Sequence, residues 1–131
     1  MRRWVWVPVV VAVLSGCESA TIKAIREDFR SLFQTHKGAP DLASGIRQYE
    51  NANYAEAARQ LQSALDQGLA REDQVRAHKY LAFIHCSSNR ERQCRDEFRK
   101  ALAIDPALEL APAETGHPVW GPIFRSLKAG R

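Results

Sequence analysis

The chain has 131 residues, 45% of them hydrophobic and 26% charged, with a formal net charge of +4. Arg2 and Arg3 supply half of that excess, and what remains is too weak for the basic stripe that nucleic-acid binding needs. No glycine-rich phosphate loop, nucleophile elbow or His-Glu-x-x-His pair occurs, and the length allows one small domain around a single core.

At the amino terminus, Arg2 and Arg3 precede an apolar run from Trp4 to Leu14, then small residues and Cys17. The run falls short of the roughly 20 apolar residues that cross a bilayer and reads as a secretory signal. The stretch Leu14-Ser15-Gly16-Cys17 resembles the bacterial lipobox, in which a peptidase cuts before the cysteine and that residue carries the lipid. The resemblance implies removal of residues 1–16, acylation of Cys17 and firm membrane attachment, since several acyl chains bind far more strongly than one. Glu18 follows, where the inner-membrane retention signal of such proteins usually has aspartate, so the periplasmic face of the outer membrane is expected. That compartment is oxidising.

Within 17–37, Ile22, Ile25, Phe29 and Leu32 are spaced by three, four and three residues, with Phe33 beside them, which predicts one face of a helix over about 20–35. From Asp41 to Pro106 the chain is rich in Ala, Leu, Gln, Arg and Glu at helical spacing, without strand-like alternation. ENANYAEAARQLQSAL (50–65) aligns with SSNRERQCRDEFRKALAIDP (87–106), setting Ala57 on Cys94, Leu61 on Phe98 and Ala64 on Ala101. A third full unit is excluded by Pro112, Gly116, Pro118, Gly121 and Pro122. Instead, Trp120, Ile123, Phe124 and Leu127 make an i, i+3, i+4, i+7 stripe with Pro122 in its first turn, so 109–131 is expected to be a loop and a short capping helix.

The aligned units resemble the tetratricopeptide repeat (TPR), whose pattern of small residues, one large apolar residue and a closing proline is met in Val75 to Leu108 by Leu81, Ala82, Phe98, Ala101 and Pro106, with Cys94 in place of alanine. The first unit has Gly45, Tyr54, Ala57, Leu61 and Ala64 in place but no proline. An all-α fold follows, with two TPR-like hairpins over 38–108. Two units fall short of the three or so normally needed, so the amphipathic amino-terminal helix and the capping helix are expected to cover the ends. The resemblance further implies a concave groove lined by the first helix of each unit. It would place Arg76 and Lys79 in that groove, with a solvated basic face as the alternative, and Tyr49, Phe83 and Trp120 complete the expected partner-facing set. Trp120 has two readings, packed on the helix that carries Phe98 and Leu102 or exposed as an anchor beside Arg125.

Cys86 and Cys94 flank the turn at Asn89 and Arg90. Their spacing fits neither a Cys-x-x-Cys redox centre nor a zinc ligand pair. In an oxidising compartment a disulfide is expected, with two buried thiols as the alternative. The repeat register puts Cys86 one turn beyond the residue opposite Cys94, and a bridge needs Cα atoms within about 7 Å. His78 and His85 are seven apart and could share a helix face, but no third ligand accompanies them, so neither metal nor cofactor is expected.

The resulting expectation is a non-enzymatic, lipid-anchored adaptor or scaffold that holds another cell-envelope protein or a second copy of itself. The lipobox, the two units and the tail GHPVWGPIFRSLK together resemble the TssQ-like lipoproteins associated with type VI secretion, which implies an accessory role in that system. A pilus-assembly or outer-membrane-assembly lipoprotein is an alternative, and so is a small periplasmic Cys/His metal-binding or thiol-redox protein.

Overall fold

The computed structural model describes residues 36–131, together with Ile22 and Ile25, which are helical and exposed. The signal segment, Cys17 and the rest of the helix expected over 20–35 lie outside the described residues. Among the described residues the fold is all-α, as expected, with six helices and no strand. They are α1 (Ala39–Glu50), α2 (Tyr54–Gln67), α3 (Arg71–Ser87), α4 (Glu91–Ile104), α5 (Pro112–Thr115) and α6 (Trp120–Ala129).

The first four helices form two hairpins, α1 with α2 and α3 with α4. Each closes through three residues, of which Ala52 (φ 61°) and Asn89 (φ 56°) take the left-handed conformation that such tight reversals require. Pro40 starts α1, where its missing N–H is no loss, and Asp41 faces the positive end of the helix dipole. Gly68, at φ 99°, ends α2, and Asp105 with Pro106 ends α4.

Helix α3 packs against both helices of the first hairpin, whereas α2 and α4 do not meet. The first helices of the two hairpins, α1 and α3, therefore share one side of the molecule, which we call the inner face. Small residues allow the close approach. A Cβ on Gly45 would stand 2.9 Å from the Leu61 Cγ, and one on Gly38 would collide with the Ala64 backbone. Ala57, Ala64, Ala77, Ala82 and Ala101 are wholly buried at the same seams.

The core has two stacked parts. One joins Leu42, Leu61, Leu81 and Ile84, and the other joins Phe83, Phe98, Leu102, Trp120 and Phe124. Tyr49 and Tyr80 pack against both. The second part depends on the tail: α6 lies on α4 and α3, with Phe124 edge-on to Phe98 at 5.2 Å and Trp120 stacked on Phe83 at 4.5 Å. The capping helix thus begins at Trp120, two residues ahead of Pro122, and the one-turn helix α5 precedes it within the stretch expected to be loop. Pro112 opens α5, and the Glu114 carboxylate accepts the Ala111 backbone N–H at 2.9 Å. Arg125 and Lys128 strap the tail down through the Thr115 and Leu108 carbonyls.

Candidate functional site

The inner face carries a row of aromatic rings contributed by α1, α2, α3 and the tail. Tyr54 packs on Tyr49 at 5.5 Å, Tyr49 on Tyr80 at 5.1 Å, Tyr80 on Phe83 at 5.9 Å and Phe83 on Trp120, on which His117 stacks in turn. Helical spacing explains the α3 members, since Arg76, Tyr80 and Phe83 follow one another at i, i+4 and i+7. The row runs from surface to core: Tyr54 is 41% exposed, Tyr49 and Tyr80 are half-buried, and Phe83 is 1% exposed.

Charge along this row is arranged in pairs. Lys79 donates to both carboxylate oxygens of Glu114, at 2.8 and 3.1 Å, and both side chains are largely shielded. Its ammonium lies 5.4 Å from the centre of the Tyr80 ring and 5.7 Å from that of Phe83. Arg76 pairs with Asp73 at 3.1 Å and remains exposed. Burial, the neighbouring Tyr54 and Tyr80 hydroxyls and the Glu114 carboxylate push Tyr49 up to about 12. Burial, then Glu114 and Glu50, raise Tyr80 as well, against a smaller opposing effect of Arg76.

These positions correct part of the expected partner-facing set. Phe83 and Trp120 are core residues, because the tail folds over the second hairpin and needs an apolar floor. Of the two readings for Trp120, the packed one holds: it is 8% exposed, and its indole N–H donates to the Glu114 backbone carbonyl at 3.0 Å. Lys79 is satisfied by Glu114 rather than held out toward a partner. Tyr49 and Arg76 do reach the inner surface, Tyr54 and Tyr80 pack on Tyr49 there, and Glu114 joins them through Lys79. Tyr80 was legible from its spacing to Arg76, while nothing in the sequence marks Glu114, which reaches Lys79 from 35 residues away.

The two cysteines are bridged, with Cα atoms 5.1 Å apart. The three-residue turn between α3 and α4 is tight enough to close the offset anticipated from the repeat register. On the outer side of α3, His78 Nδ1 lies 2.7 Å from a Glu97 carboxylate oxygen, and Lys100 donates to the other oxygen at 2.7 Å. Burial pushes the Glu97 carboxyl up, but the bonds from His78 and Lys100 outweigh it and hold the group below the usual range. His85 is held down by burial and by Arg90, and its buried Nδ1 has no hydrogen-bond partner. Among the described residues, no three His, Cys, Asp or Glu side chains converge in a way that could hold a metal ion, and no helix is long and apolar enough to cross a membrane. Comparison of the chain with protein-family models, with characterised proteins and with solved structures finds no match.

Proposed function

We propose that the chain is a non-enzymatic adaptor of TPR type, anchored by lipid at Cys17 to the periplasmic face of the outer membrane, that holds another cell-envelope protein on its inner face. The observation that carries this reading is the tyrosine surface built by α1, α3 and the first residue of α2. Tyr54, Tyr49 and Tyr80 present half-exposed rings beside Arg76, and tyrosine and arginine are among the residues that dominate interface energies. A rigid two-hairpin frame with a bridged turn and a closed end holds those rings in place, which lowers the entropy cost of binding. The likeness of the lipobox, the two units and the tail to type VI secretion lipoproteins makes a component of that system the first partner to test.

The test combines anchoring with capture. Mass spectrometry of the membrane fraction should find an acylated Cys17 at the amino terminus. Copurification from detergent extracts should recover one envelope protein that is lost in Tyr54→Ala and Arg76→Ala variants folded as the wild type. An unmodified soluble chain, or a copurifying protein indifferent to both substitutions, would overturn the reading.

A further inference from the structure

The tyrosines of the inner face offer hydrogen-bond donors as well as rings. Tyr54 meets Tyr49 with planes inclined by 56°, and Tyr49 meets Tyr80 at 73°, so both junctions are V-shaped rather than flat. Tyr54 is exposed and the other two are half-buried. Among the described residues none of the three hydroxyls has a hydrogen-bond partner. Charge gives the face little selectivity. Arg76 pairs with Asp73 and Lys79 with Glu114, while Arg47 and Glu50, exposed one turn apart on α1, are of opposite sign. A partner must therefore bring flat apolar groups for the rings and acceptors for the hydroxyls. A helix brings no free backbone acceptor, and its apolar side would bury the hydroxyls unsatisfied. A β-strand needs an open sheet edge, and the described residues contain no strand. A polyproline II segment fits: its carbonyls are unpaired, its rings are apolar, and it is extended before it binds, which lowers the entropy cost.

We propose that Tyr54, Tyr49 and Tyr80 receive a proline-rich segment of the partner in the polyproline II conformation. Its proline rings sit in the two V-shaped junctions, and its backbone carbonyls accept hydrogen bonds from the tyrosine hydroxyls. The inference rests on the adaptor reading and names the chemistry of its partner.

The probe is acetyl-hexaproline-amide, titrated into the full chain in detergent micelles while tyrosine ring signals are followed by NMR. A Gly-Ser hexapeptide with the same end groups has the carbonyls without the rings and serves as the control. Hexaproline should shift the Tyr54, Tyr49 and Tyr80 rings saturably, and the control should not. A Tyr54→Phe/Tyr80→Phe variant keeps both rings and loses two hydroxyls, so it should fold as the wild type and bind hexaproline about tenfold more weakly. Equal shifts from both peptides, no shift from either, or unchanged affinity in the double variant would overturn the proposal. The titration needs no partner. Peptide binding without any captured envelope protein would count against the adaptor reading alone, and capture without peptide binding would count against the proline-rich segment alone.

Discussion

Removing the Cys86–Cys94 bridge tests how much one covalent link contributes to the α3–α4 turn. Closing so short a loop restricts the unfolded chain by about 2 to 3 kcal/mol. A Cys86→Ala/Cys94→Ala variant should lose about that much in denaturant titrations, and the native wild type should show neither thiol. Titration makes separate predictions. His85 and Glu97 both bind protons less readily in the folded chain than in the unfolded one. Stability due to them is therefore present at neutral pH and lost on acidification, first for His85 as pH falls below its ordinary value of 6.5, then for Glu97 as pH falls below 4.5. Glu97→Gln should flatten the lower part of that acid limb and leave the part near pH 6 in place. Tyr49 works in the opposite sense: its raised pKa stabilises the fold below pH 10, and that contribution disappears as pH rises toward 12. Tyr49→Phe should shrink this alkaline limb and leave the part due to Tyr80, whose pKa is raised too, which melting temperature against pH would record.

At the scale of elements, the seams between helices rest on the small residues. Gly45→Ala gains helix propensity of up to about 1 kcal/mol but forces Leu61 away from a contact at 2.9 Å, an overpacking cost of about 1 to 3 kcal/mol. A net loss is expected in the denaturation midpoint, and it should shrink when Leu61→Ala is added. The tail carries more. Truncating Trp120 to alanine should cost about 3 to 5 kcal/mol and lower the melting temperature by on the order of 15 °C. Trp4 and Trp6 lie within residues 1–16, so in a chain cleaved before Cys17 the wild-type emission comes from Trp120 and should report a buried ring. A normal melt for Trp120→Ala would contradict the tail's role as a cap. The hairpins were legible in the sequence because their determinants are local: repeated small residues at Ala57, Ala64 and Ala101, large ones at Leu61 and Phe98, and Pro106 at a helix end. The capping stripe of Trp120, Phe124 and Leu127 was legible for the same reason. The inner face was legible only in part. The repeat resemblance implied a partner-facing place for Phe83 and Lys79, yet the tail takes both, Phe83 under Trp120 and Lys79 by Glu114. Such contacts depend on how the chain folds back, which periodicity does not encode.

At the scale of the whole molecule, the frame of two hairpins has its carboxyl end closed by its own tail and presents tyrosines on its inner face. In-cell photocrosslinking tests the central claim, that this face is where a partner sits, most directly. A benzoylphenylalanine probe would be placed at Tyr54 on the inner face and, separately, at Arg59 on α2, whose side chain is 70% exposed and pairs with Glu56. The Tyr54 probe should link to one envelope protein, and the Arg59 probe should not. Equal crosslinking from both positions, or a product only from Arg59, would contradict it.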